Sequence, residues 1–157
     1  MKALLIAISV GLFAGTGFIQ TSGTSWHGIT PFHSTRADVE RLLGEPSGYC
    51  HCQYKLNGDP IRIDYSGNRC GIEKLEHWDV PRDTVLTITL HPQKQCSIAD
   101  LKLDSKVFQR IDDPELHGYT LYTSDVDGIA YHATEESKVF MIMYYGSLKD
   151  RMTLRCK

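Results

Sequence analysis

Ala3 to Phe13 is an unbroken apolar run behind a single basic residue, Lys2, and the small residues Ala14-Gly15-Thr16-Gly17 follow it. A basic start, a short apolar stretch and a small-residue exit form the pattern a signal peptidase reads, so the sequence predicts export and removal of this segment. The expected cut lies after Gly17 or near Ser22 or Gly23, making 1–21 a signal peptide and 22–157 one secreted domain. No charge separates Lys2 from Arg36, so an uncleaved anchor is the rival reading. Spanning takes roughly 18 to 20 strongly apolar residues, and the Gly and Thr after Phe13 dilute the run before that. No cysteine stands at the cut to carry a lipid. All five cysteines lie downstream, in an oxidising compartment where thiols pair.

The chain carries 17 Lys and Arg against 19 Asp and Glu, a net −2, and Lys2 would leave with the leader. No basic cluster stands out, so no nucleic-acid partner is expected. Nothing downstream is apolar enough to span a bilayer, so no stable membrane insertion is expected after cleavage. Roughly 135 mature residues suffice for one domain with its own core and are too few for two.

The first ordered element begins at Ser34-Thr35. Thr35 followed three residues later by Asp38 has capping-box spacing, with Asp in place of Glu or Gln. Val39, Leu42 and Leu43 then give one apolar stripe, leaving Arg36, Glu40 and Arg41 to water. Gly44 suits a helix end and Pro46 forbids resumption, so the helix is about nine residues long. Beyond it the period falls to two. Gln53 to Leu56, the Asn57-Gly58 turn and Ile61 to Tyr65 read as a hairpin, although Pro60 lacks an amide donor and leaves the loop length open. Thr84 to Leu90, bracketed by Pro81 and Pro92, is a further strand. Asn68 to Pro81 is an irregular connection holding Cys70, His77 and Trp78.

The second half echoes the first. Ser97-Ile98-Ala99-Asp100-Leu101 repeats the order of Thr35-Arg36-Ala37-Asp38-Val39, and Ile142-Met143-Tyr144-Tyr145-Gly146 that of Ile63-Asp64-Tyr65-Ser66-Gly67. Strands are expected at Val107 to Ile111, Tyr119 to Thr123, Ile129 to Ala133 and Val139 to Tyr145, with turns at Asp125 to Gly128 and Glu135 to Ser137. Two degenerate helix-plus-three-strand units would explain the echoes, and so would chance. The expected class is α+β, a mainly antiparallel sheet with short helices on one face and the other face wet or meeting a partner.

The string Ser34 to Pro46, with Trp26-His27-Gly28-Ile29 before it, resembles the opening of a family of uncharacterised secreted bacterial proteins. Trp78-Asp79-Val80-Pro81 with Thr84-Val85, Ser97 to Leu103, Asp127-Gly128-Ile129 and the closing Leu154-Arg155-Cys156 resemble it as well. More distantly, Thr35, Val39, Gly44 and Pro46 are similar to the Thr-x-x-x-Val helix ending Gly-x-Pro of small outer-membrane assembly lipoproteins and of the beta-lactamase inhibitor protein. The lipoproteins' lipid-bearing cysteine is missing here. What the distant similarity implies is a binding or scaffolding module rather than an enzyme.

Cys50-His51-Cys52 sets two thiols and an imidazole together and is the candidate metal site, for Cu(I) or Zn(II). The competing reading makes both cysteines disulfide partners, and it is preferred because no second Cys/His cluster follows to complete a site. Cys70 is expected to pair with Cys156, since each follows one of the two similar Ile-x-Tyr-x-Gly strings and the family resemblance includes both. Cys96 would then take Cys50 or Cys52, with Cys52 preferred.

His27, His33, His51, His77, His91, His117 and His132 show no ligand spacing, although His27 and His33, beside Trp26 and Phe32, could line a small pocket. Asp112-Asp113, Glu135-Glu136 and Asp125-x-Asp127-Gly128 fall in expected turns, and the last lacks the remaining ligands of a calcium loop. No nucleophile elbow or P-loop is present, and no cofactor is expected. The leading expectation is a secreted or periplasmic protein-binding or inhibitory module. It would meet another exported or envelope protein through an exposed sheet face carrying Tyr119, Tyr122, Tyr131, Tyr144 and Tyr145. An envelope scaffold component and a small hydrolase or metal-handling protein are the alternatives.

Overall fold

The computed structural model describes residues 24–48, 50–72, 77–112 and 118–157. The expected leader and its cut, Asp113 and His117 lie outside the described residues. Seven strands form one antiparallel sheet: β1 (Gln53–Leu56), β2 (Asp59–Tyr65), β3 (Val85–Leu90), β4 (Gln109–Asp112), β5 (Tyr119–Ser124), β6 (Ile129–Thr134) and β7 (Val139–Tyr145). Three short helices accompany it: α1 (Arg36–Leu43), α2 (Ile98–Leu101) and α3 (Leu148–Thr153). The spatial order is β1-β2-β3-β7-β6-β5-β4, so each half of the chain runs from one edge inward and β3 meets β7 at the centre. The halves hold three and four strands, and the two echoing strings fall on β2 and β7, the middle strand of one half and the last of the other.

Local chemistry accounts for most of these elements. Both capping boxes form: Thr35 accepts from the Asp38 amide while the Asp38 carboxylate accepts from the Thr35 amide, and Ser97 and Asp100 share the same reciprocal arrangement. Ser147 and Asp150 repeat the Ser-x-x-Asp signature and start α3, an element the sequence reading missed although its cap was visible. Asn57 and Gly58 both adopt positive φ, 53° and 94°, as a two-residue turn matching strand twist requires. Leu56 therefore pairs with Asp59, and Pro60 lies inside β2 opposite Lys55. Gly128 is obligatory at its turn, because a Cβ there would lie 2.2 Å from the Tyr145 carbonyl oxygen. Val107 and Phe108 stay outside β4, since both amides turn back onto the Asp104 carbonyl.

Residues directly opposite in an antiparallel register share a face. One face carries Tyr54, Ile61, Ile63, Ile88, Leu90, Ile142 and Tyr144, and Val39 of α1 with Ile29 and Trp26 of the entry segment packs on it. Farther along the same face, Tyr122 pairs with Tyr131, and Phe108 lies 5.8 Å from the Tyr131 ring. A second cluster, Phe32, Val80 and Leu86 with Trp78 and Leu154, ties the entry segment to the C-terminal end. There α3 closes one end of the sheet, with Arg151 over the Tyr145 ring at 5.1 Å.

Helix α1 corrects two expectations. Val39 is fully buried, but Leu42 is 41 % exposed, because an eight-residue helix on a flat sheet buries only a narrow stripe and residue 42 lies beside it, next to Gly28. Arg36 does not simply face water. Its guanidinium sits 4.1 Å from the Tyr65 ring centroid, pairs with Asp83 at 3.0 Å and donates to the His51 carbonyl at 2.8 Å.

Candidate binding face

The second face of the sheet is assembled by register alone. One row crosses all seven strands: Gln53, Arg62, Thr89, Met143, Ala130, Thr123 and Gln109 stand opposite one another in turn. The next row is Ile111, Leu121, His132 and Met141. A register shift between His132 and Ala133 makes Phe140 an extra residue of β7. Its ring turns to this side, 5.0 Å from Tyr119 and 6.2 Å from His132. Tyr119 and Ile111 are 43 % and 44 % exposed, and Leu121, His132, Phe140 and Met141 are half-buried. Helix α1 packs on the opposite face, and the hollow beside α2 is lined by Arg110 and Tyr122 of that same opposite face.

Toward α3 the face deepens into a groove of about 570 Å³ lined by Arg62, Asp64, His77, Trp78, Met143 and Arg155 among others. Arg62 donates to Asp64 at 3.0 Å and Thr87 donates to the other Asp64 oxygen at 2.8 Å, so a paired polar strip runs beside the apolar lining of Trp78, Leu86 and Met143 in the groove. Its wall is a short ladder in which Trp78 pairs with Arg155 and the Cys156 amide donates to the His77 carbonyl. The Cys70–Cys156 disulfide staples that wall, and Arg69 and Asp79 form an ion pair beside it. That contact holds the Asp79 carboxyl below the usual carboxylate range.

The five tyrosines expected on one surface divide between two, because neighbours in a strand alternate. Tyr122, Tyr131 and Tyr144 belong to the packed face, and burial pushes the Tyr144 hydroxyl up to about 12, with Tyr131 nearby adding to it. Tyr145 is on the opposite side but its hydroxyl is engaged with Thr123 at 2.6 Å under Arg151. Tyr119 alone joins the patch. Phe140 and His132, which the sequence reading did not place there, complete it; the bulge that turns Phe140 outward has no single-residue signature.

The pairing among Cys50, Cys52 and Cys96 also departs from expectation. Cys50 bonds Cys52, and Cys96 is free and half-buried. Cys96 accepts from the Val139 amide at the start of β7, while Cys52 precedes β1; three strand spacings, about 14 Å, separate those strands and exceed the reach of a disulfide. With both thiols in a disulfide, Cys50-His51-Cys52 presents no thiolate pair to a metal. Among the described residues no group of three or more His, Cys, Asp or Glu side chains could hold a metal ion.

The remaining candidates are absorbed into structure. His33 contacts Asp150 at 3.2 Å and thereby joins the entry segment to α3, while His27 stacks edge-on against Trp26. His91 donates its amide to the Pro60 carbonyl. Asp125 pairs with Arg151, Asp127 accepts from Ser124, and Asp112 pairs with Arg110. Glu135 and Glu136 rim a separate hollow with Tyr119 and Lys138. No described helix is long and apolar enough to cross a membrane. Compared with protein-family models, curated proteins and solved structures, the chain matches none.

Proposed function

We propose that this chain is an exported protein-binding or inhibitory module that meets its partner through the uncovered sheet face. One observation carries the reading: the row Ile111, Leu121, His132 and Met141, with Tyr119 and Phe140, forms a contiguous apolar and aromatic patch that no helix packs on. Contiguous apolar surface of this kind marks interaction sites, and thioether side chains adapt to a partner's shape. The rim alternates in sign, with Glu135 and Glu136 beside Lys138 at one end and the Arg62–Asp64 pair at the other. Such a rim suits an exported or envelope protein presenting an apolar centre within a mixed-charge border. The apolar leader and two disulfides support the exported compartment.

Capture from the native envelope fraction tests this with Ile111→Lys and Tyr119→Lys beside the parent. Both side chains are more than two-fifths exposed, so each change leaves melting nearly unmoved while placing a charge in the patch. The expected result is at least ~10-fold less captured partner with an unchanged melting temperature. Equal capture by all three proteins would place the function elsewhere. Co-elution of the parent as part of a larger stable assembly selects the scaffold form of the proposal, and loss of the partner's activity on binding selects the inhibitory form.

A further inference from the structure

The two disulfides have little in common. Cys70–Cys156 spans a sequence separation of 86 and joins the connection after β2 to the C-terminal end. Cys50–Cys52 spans two. The restraint a disulfide places on an unfolded chain grows with the loop it closes, so this pair contributes little by that route. It is nevertheless set at the surface with an asymmetry. Cys50 is exposed, whereas Cys52 is half-buried and anchored through its carbonyl, which accepts from the Ile63 amide at 2.9 Å.

His51, between them, has φ 48°, a left-handed conformation that a side chain with a Cβ adopts only at a cost. Closing so short a ring helps to enforce that conformation, and opening it relaxes the residue. Arg36, which is itself paired with Asp83, donates to the His51 carbonyl at 2.8 Å and so places a guanidinium against the residue that joins the two cysteines. Positive charge stabilises a departing thiolate, and an exposed, constrained disulfide is more oxidising than a buried structural one.

We infer that Cys50–Cys52 is a thiol–disulfide exchange site that accepts two electrons from a dithiol in another exported protein. A substrate thiolate attacks the Sγ of Cys50, the exposed residue of the pair. The bond to Cys52 breaks, Cys52 leaves as a thiolate, and a mixed disulfide joins the substrate to Cys50. The second substrate thiolate attacks its own sulfur in that mixed disulfide, forming the substrate disulfide and releasing Cys50 as a thiolate. The substrate dithiol is oxidised by two electrons, the Cys50–Cys52 pair is reduced by two, and the two protons lost by the substrate pass to the new thiolates or to water. The activity is independent of the sheet-face patch, which lies across β4 to β7 at the other edge of the sheet from β1.

The oxidised parent protein is mixed without oxygen with a reduced two-cysteine peptide, and thiols are alkylated and mapped by mass. The expected result is stoichiometric peptide disulfide, with Cys50 and Cys52 alkylated and Cys70–Cys156 intact. Cys52→Ser, oxidised beforehand through Cys50 to a mixed disulfide with glutathione, should pass that bond to the peptide. A Cys50→Ser Cys52→Ser double variant should form peptide disulfide at least ~10-fold more slowly than the parent. The proposal is overturned if Cys50–Cys52 stays oxidised until Cys70–Cys156 is also reduced, or if the double variant oxidises the peptide as fast as the parent. The parent arm decides the matter even if the double variant fails to fold.

Discussion

The hydroxyls of Tyr54 and Tyr65 meet 2.9 Å apart inside the packed face of the sheet, one from β1 and one from β2. The bond bridges an edge strand to its neighbour under α1, and Arg36 lies over the Tyr65 ring. Burial and the Tyr54 hydroxyl together push the Tyr65 hydroxyl far above its ordinary value. Removing one hydroxyl leaves the other without its partner. Tyr54→Phe should therefore destabilise by about 1 to 2 kcal/mol, and the double change Tyr54→Phe Tyr65→Phe by less than the sum of the singles. Urea unfolding of the three variants measures the coupling; strict additivity would show that the two hydroxyls act separately.

Alkaline stability follows from the same burial. A tyrosine whose folded value lies above the unfolded value of about 10 contributes stability that is fully present below pH 10 and is lost as pH rises through the folded value. For Tyr144 that value is about 12, so the urea midpoint should decline across pH 10 to 12, with Tyr65 acting in the same direction. Tyr144→Phe should flatten the decline. An unchanged pH profile in this variant would assign the alkaline limb to other groups.

Helix α1 offers a graded series. Val39→Ala removes a fully buried side chain and should cost about 2 to 3 kcal/mol, while Leu42→Ala at a 41 % exposed position should cost less than about 1 kcal/mol. Arg36→Ala loses the aromatic contact, the His51 carbonyl bond and a partly exposed ion pair, together about 1 to 2 kcal/mol after allowing for screening. Arg41→Ala, which loses an exposed ion pair with Asp38 on the same helix, should be close to neutral. Thermal melts rank the four, and a larger loss from Leu42→Ala than from Val39→Ala would reverse the assignment of the buried stripe.

Covalent stapling gives the largest effect. Cys70→Ser with Cys156→Ser should destabilise by about 4 kcal/mol, given the length of loop that the bond closes. The loss should appear first at the ladder of 77–79 with 154–156, which hydrogen exchange reads directly as lost protection at the Asp79 and Cys156 amides. Protection there equal to the parent's would mean that the backbone bonds hold the groove wall by themselves.

Much of the architecture is written locally. Thr35 with Asp38, Ser97 with Asp100 and Ser147 with Asp150 each place a side-chain oxygen within reach of an amide two or three residues on, so three helix starts are encoded in four-residue strings. Asn57-Gly58 encodes its turn because both residues tolerate positive φ, and the alternation of β2 encodes which of its residues are buried. What these signals share is short range. The order that brings β3 beside β7, the register that lines up Ile111, Leu121, His132 and Met141, and the bulge that turns Phe140 outward are set by contacts between distant segments. A slip of one residue in any pairing would exchange the two faces, which is why five tyrosines legible as strand residues could not be assigned to a side. The same distance rule separated Cys96 from the Cys50–Cys52 pair: local sequence supplied the thiols, and only the packing of β2 and β3 between them decided which could meet.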